Sequence, residues 1–450
     1  MLKNGKCFNV IVEDIEILNI KNIRYALVIF FLASWGPLSR SVVDKLWMHS
    51  DGLSLVGQWA QFQTLADLIG APVGAGIGIG LTILTARTDP LLQRFLLIAS
   101  GVLGLLITLP LLVLALIFHQ DIARWAQLPA MYHQALIIAA LGGWLSTVAI
   151  QMSAYLLGKE QHFKALLIMI ASSLPVLLTL FIGSALMLPN LIQITLLASV
   201  ISGLFFCIWL TAKAFQMIKE HPQSRAHLRS AALKLKKFIG AGFAIGILTP
   251  LSVMIARSAI ASDLDWNSVG IATALWRVSD WVLCAAQAVL YFHFLPLLSK
   301  SADDQLQSRL TKVILQVFIP SVFALLLLLI GRQTIFSLLY SNQLVIDWKV
   351  CLLFWSGDAM RVLAIIFLLA LYILRRTKTI SVVELFSQPL LAFLLTLGAA
   401  QSLIWVGAAH LFTYTVYASL CFLGVALLWL APQKNSDTLL NEPPQPSKPR

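Results

Sequence analysis

The sequence predicts an all-α integral membrane protein: about 12 transmembrane helices in two six-helix lobes around a central cavity. Three observations predict it. The 450-residue chain is 59% hydrophobic and only 12% charged, against roughly 25% charge in soluble domains. Apolar runs of about 20 residues, enough to cross about 30 Å of hydrocarbon as a helix, recur from Ile23 to Leu430. One small pattern also occurs twice: Val56-Gly57 is followed ten residues after the glycine by Asp67, and Val269-Gly270 at the same distance by Asp280. A carboxylate inside an apolar run is costly and marks function by default, and its presence in both halves points to a duplicated, transporter-like machine.

The predicted helices are 24–47, 55–84, 93–118, 132–157, 164–187, 191–214, 238–261, 267–298, 310–331, 346–374, 380–400 and 403–430. Pro72, Pro110, Pro175, Pro250, Pro296 and Pro320 fall within or near the ends of these runs and are expected kinks. In the second helix Gly70, Gly74, Gly76, Gly78 and Gly80 accompany Pro72, a spacing that permits close helix contact and bending. No Lys-Ser/Thr follows this run, so it is not a phosphate-binding loop.

The net charge of +12 invites a nucleic-acid reading, but the distribution argues against a nucleic-acid partner. Of 32 lysines and arginines, 24 lie in the N-terminal segment, the tail and the loops on one side of the predicted helices, and four lie on the other. The positive-inside rule then places both termini in the cytoplasm. The expected organisation is an N-terminal extension (1–22), a first lobe (23–214), a basic linker (215–237), a second lobe (238–430) and a disordered tail (431–450). Residues 224–237 read as a basic amphipathic helix on anionic lipid. Both halves enter from the same side, so a parallel repeat about the membrane normal is expected. Glu13, Asp14 and Glu16 interrupt the start, which therefore does not read as a signal peptide. The five cysteines form no CxxC pair, and no disulfide, metal site or cofactor is predicted. The loops opposite the basic side are too short for a catalytic domain, so an enzyme is not expected.

Eight charged residues stand out within the predicted helices, away from their ends or only loosely near them: Arg40, Asp67, Arg257, Arg277, Asp280, Asp358, Arg361 and Glu384. Arg277 and Asp280 are three apart and share a helix face, as do Asp358 and Arg361. The bland reading of each pair is an intramembrane salt bridge. Four arginines spread over both halves exceed what such stapling needs, and guanidinium forks suit a phosphate-bearing anion. Arg40 and Arg257, in the first and seventh helices, sit toward the end opposite the basic loops, where they could snorkel. Asp67 has no basic residue three or four away and needs a partner on another helix or a proton. Glu384 lies near Arg375, Arg376 and Lys378, which suggests an interfacial ion pair. His293 and His410 read as packed side chains. Trp266, Trp348 and Trp405 fit an interfacial belt, whereas Trp59, Trp276 and Trp355 lie deeper, where they could stack on sugar rings or pack against neighbours.

The segments Arg257–Asp280 (RSAIASDLDWNSVGIATALWRVSD), 294–299 (FLPLLS), 338–342 (LLYSN), 355–361 (WSGDAMR) and 383–388 (VELFSQ) resemble one family. It is the polysaccharide branch of the multidrug/oligosaccharidyl-lipid/polysaccharide exporter superfamily, the flippases of lipid-linked O-antigen and enterobacterial common antigen units. The likeness runs from about residue 25 to 430 and is strongest in the second half. It implies the V-shaped fold, the bacterial inner membrane, and an undecaprenyl-pyrophosphate-linked oligosaccharide as the translocated partner. It also implies roles for Arg257, Asp280, Asp358 and a basic residue at Arg361; Arg277 matches no family arginine and rests on the residue argument alone. Together these assign the pyrophosphate to Arg257, Arg277 and Arg361, with Arg40 helping. Asp67, Asp280, Asp358 and Glu384 are assigned to charge pairing or to proton or cation coupling, and a polysaccharide polymerase is an expected partner. The alternatives are a cation-coupled multidrug exporter of the same superfamily, whose cavity should be acidic or apolar, and a polymerase- or ligase-type membrane enzyme.

Overall fold

A computed structural model describes residues 20–430 apart from 189, 221–223, 295–297, 299–302, 343 and 375. Residues 1–19 of the expected extension and the tail 431–450 lie outside the described residues. Among the described residues the chain is helical throughout. The first lobe comprises α1 (Ile20–Asp51), α2 (Leu53–Thr85), α3 (Pro90–Ile117), α4 (His133–Gly158), α5 (His162–Ala185) and α6 (Leu191–Glu220). After α7 (Ser224–Lys236) come α8 (Ile239–Asp263), α9 (Trp266–Val289), α10 (Ser308–Ile330), α11 (Trp348–Ile373), α12 (Thr377–Ala399) and α13 (Leu403–Leu430). Eleven helices are long and apolar enough to cross a membrane among the described residues, and α1 precedes them. The protein is a multi-pass membrane protein.

Local chemistry explains where several spans begin. Asp89 caps α3, its carboxylate accepting from the Leu92 N–H at 3.0 Å, and Pro90 at the first position gives up a donor that the helix start does not use. Asp265 caps α9 through the Ser268 N–H at 2.6 Å, and Asp347 caps α11 through the Lys349 N–H at 3.0 Å. The second helix is not regular. Pro72 lacks an amide hydrogen, and directly after it Val73–Gly78 widens into a π-helical turn before α-geometry resumes at Ile79. The expected bend thus takes the form of a helical bulge.

The halves meet along α2, which packs on α8 and α9, while α1 packs on α9. Glycines set the closest approaches. A Cβ on Gly57 would lie 3.0 Å from both the Gly270 amide nitrogen and the Trp266 carbonyl, so the two Val-Gly motifs of the repeat touch each other across the lobe interface. Toward the other end, a Cβ on Gly76 would come within 2.8 Å of the Phe238 carbonyl and 3.1 Å of Gly242 Cα. The central helices α4 and α9 are each 67% buried over their most apolar stretch, whereas α5 is 17% buried and gives its remaining surface to the surroundings.

Candidate functional site

The polar residues of the interior gather where the lobes face each other. A cavity of about 590 Å³ lies between α1 and α2 of the first lobe and α8, α9, α11, α12 and α13 of the second. It begins beside the Gly57–Gly270 contact and extends along α2 from Ala60 to Ile79, toward the ends that carry the basic loops. All four predicted arginines line it: Arg40 from α1, Arg257 from α8, Arg277 from α9 and Arg361 from α11. Asp67, Asp280 and Glu384 line it as well, while Asp358 is fully buried behind the wall.

The arginines differ in how far the protein occupies them. The Arg277 Nε donates to Asp44 Oδ2 at 3.0 Å, with the two side chains 7% and 0% exposed, and an Arg277 NH2 group also donates to Gln63. This bond joins α9 to α1 across the lobe interface. Arg257 donates to the Ala60 carbonyl at 2.9 Å and to the Thr64 hydroxyl, and its Cζ lies 5.4 Å from the centroid of Trp276. Nearby, the Gln61 amide donates to the Met254 carbonyl at 3.2 Å and to Ser258 at 3.0 Å. Arg40 and Asp67 pair more loosely, 3.6 Å apart with side chains 42% and 51% exposed. Arg361 lies over the Tyr414 ring, 5.5 Å from its centroid, and has neither an ion pair nor a hydrogen bond among the described residues. Arg361 and Arg40 therefore keep the most donor capacity facing the cavity.

Several sequence expectations give way to this geometry. The three-apart pairs do not form: Arg277 reaches Asp44 rather than Asp280, and Asp358 lies against His410, with Oδ1 3.2 Å from Nε2, rather than against Arg361. Arg277 and Arg361 extend toward partners on other helices, which a long guanidinium side chain allows and a shared helix face does not prevent. Arg257 is buried and bonded within the interface, so it does not snorkel. Glu384 is not an interfacial ion pair. It is buried, and its two oxygens accept from Tyr417 Oη at 2.5 Å and from Gln388 Nε2 at 3.0 Å. His410 does more than fill space: it bridges Asp358 to Tyr414, whose ring centroid is 4.8 Å away, and stacks on Phe354 at 5.3 Å. Trp355 and Trp59 are buried in the apolar core and do not line the cavity, whereas Trp276 does. Asp67 finds its partner on another helix, as its isolation required.

Sequence reasoning passed over Asp44, which ties down Arg277. The signal was present: Asp44 follows Arg40 by one helical turn inside an apolar run, the same criterion that selected Asp67. Gln63, Thr64, Tyr414 and Tyr417 carried no such signal, because neutral polar residues are unremarked in helices until the packing shows what they face.

The fold is shared with solved transporters. The chain has the fold of the MOP-superfamily transporters. It superposes with TM-score 0.69 and 15% identity on the inward-facing conformation of a multidrug resistance MATE family transporter of that superfamily, covering 89% of this chain and 96% of the other. With a MOP superfamily transporter from Pyrococcus furiosus, described as having a binding pocket of reverse polarity, the TM-score is 0.62 at 13% identity over 92% and 96% of the two chains. In sequence, the chain resembles the flippase branch. It is 28% identical over 216 residues to the lipid III flippases of Escherichia coli (strain K12) and Shigella flexneri, covering 44% of this chain and 47% of each relative. The match thus spans about half the length of those relatives. No family model matches the chain.

Proposed function

We propose that the protein is a flippase. Its cargo is an undecaprenyl-pyrophosphate-linked oligosaccharide, carried from the cytoplasmic to the periplasmic leaflet of the inner membrane for O-antigen or enterobacterial common antigen assembly. The observation that carries this reading is the gathering of Arg40, Arg257, Arg277 and Arg361 from both lobes into one cavity. A pyrophosphate crossing a low-dielectric region needs its charge matched, because an isolated buried charge costs many kcal/mol. Arg361 and Arg40, the arginines least occupied by the protein, take the phosphates directly. Arg257 and Arg277, held by Thr64, Trp276, Asp44 and Gln63, supply fixed positive field and keep the lobes in register.

With the basic ends cytoplasmic, the cavity opens inward and the Gly57–Gly270 contact closes the periplasmic side. Substrate enters from the cytoplasm, the polyprenyl chain stays in lipid, and the lobes rock to expose the head group outside. A membrane potential, negative inside, favours outward movement of an anion by about 2.3 kcal/mol per charge per 100 mV. The similarity to the lipid III flippases supports this cargo, and so do the four guanidinium groups in a cavity that also holds Asp67 and Asp280.

Complementation tests the reading. In a bacterium lacking its own lipid-linked oligosaccharide flippase, wild type restores surface polysaccharide, while Arg361→Ala and Arg40→Ala at equal expression do not. Wild-type failure in several such hosts, combined with lowered susceptibility to cationic drugs, replaces it with multidrug export.

A further inference from the structure

The cavity is chemically divided along its length. Its deep part holds all four arginines together with Asp67 and Asp280. Toward the basic ends the wall changes character. Gln287 on α9, and Tyr291 on the π-helical turn Leu290–Phe294 that continues it, follow Asp280 by seven and eleven residues, roughly 10 and 16 Å along the axis. Tyr372 follows Arg361 on α11 by the same eleven residues, and Thr249 faces them from α8. No lysine or arginine lines this stretch among the described residues. Its one carboxylate, Glu384, is already engaged by Tyr417 and Gln388.

The side-chain polar groups of Gln287, Tyr291, Tyr372 and Thr249 carry no hydrogen bond to protein among the described residues. Each is neutral, and each offers a donor and an acceptor. Two also present an aromatic face, apolar in body with a polar tip. Such a wall offers little to a phosphate, which needs cations, or to a cationic drug, which needs free carboxylates. It matches a ligand that is uncharged and dense in hydroxyls, with apolar C–H faces between them.

We propose that Gln287, Tyr291, Tyr372 and Thr249 form a sugar subsite that binds the saccharide nearest the pyrophosphate while the arginines hold the phosphates. The inference rests on the lipid-linked reading above. It adds an order within the cavity: the phosphates lie deepest and the sugar lies at the mouth, about two to three helical turns away. Specificity for the glycan then resides in the second lobe, on α8, α9 and α11.

Binding to the purified full-length protein in nanodiscs, followed by tryptophan fluorescence, tests this with two soluble probes. One is citronellyl pyrophosphate; the other is the same molecule extended by N,N′-diacetylchitobiose. Wild type binds the sugar-bearing probe roughly tenfold more tightly, the yield of a few net hydrogen bonds and ring contacts. In Tyr291→Leu/Tyr372→Leu and in Gln287→Leu the two affinities converge, while that for the bare probe stays unchanged, which also reports that the variants are folded. The subsite is overturned if wild type binds both probes equally, or if the variants weaken both in proportion. If wild type binds neither probe, the lipid-linked reading itself fails and the subsite falls with it; binding of the bare probe alone removes only the subsite.

Discussion

Replacing Asp44 by asparagine is the sharpest perturbation of the interface that holds the cavity together. Asp44 is 0% exposed and is the ion-pair partner of Arg277, itself 7% exposed, at 3.0 Å. At an effective dielectric near 20, attraction across that distance is roughly 5 kcal/mol. Removing one partner of a buried pair costs about 3–5 kcal/mol, because the remaining charge stays buried without compensation. Asparagine keeps a hydrogen-bond acceptor, and Gln63 still receives an Arg277 N–H, so the lower end of that range is expected. The reverse variant Arg277→Gln leaves Asp44 charged, with an Oδ1 that already has no partner, and should cost at least as much. Reversible denaturation by SDS in mixed micelles measures each variant and the double variant. A cycle should return about 1–3 kcal/mol of coupling, with the double variant more stable than the sum of the singles implies. Single losses below about 1 kcal/mol, or strict additivity, would refute the claim that this pair crosses and stabilises the lobe interface.

Two further outcomes follow from the same geometry. Gly270→Val places a side chain against Leu53, whose Cβ lies only 3.0 Å from where a Gly270 Cβ would sit; the variant should lose most complementation, and Gln63→Cys in a cysteine-free background should react faster with a membrane-impermeant maleimide added outside. Trp276→Leu removes the ring 5.4 Å from the Arg257 guanidinium, which should weaken binding of citronellyl pyrophosphate by roughly 3–10-fold while Arg361→Ala weakens it more.

The sequence by itself determined the membrane class, the helical spans and the deep arginines. These are local properties: an apolar run long enough to span needs no partner to be recognised, and a charge within it is anomalous wherever the helix goes. The repeat was legible for the same reason, since Val56-Gly57 and Val269-Gly270 recur with their aspartates at fixed spacing. Only the tertiary structure decided which charges meet. Three-residue spacing brings Arg277 near Asp280, yet the guanidinium crosses to Asp44 on the first helix, 233 positions away in sequence. Fully desolvated Asp44 gains more from a cation than cavity-facing Asp280 does, and the packing of α9 on α1 sets that choice. Likewise Asp358 settles on His410 and Glu384 on Tyr417, because helix packing in the second lobe brings α13 beside α11 and α12. Whether a buried charge is free to hold a ligand depends on neighbours drawn from the whole chain, and sequence spacing along one helix does not contain them.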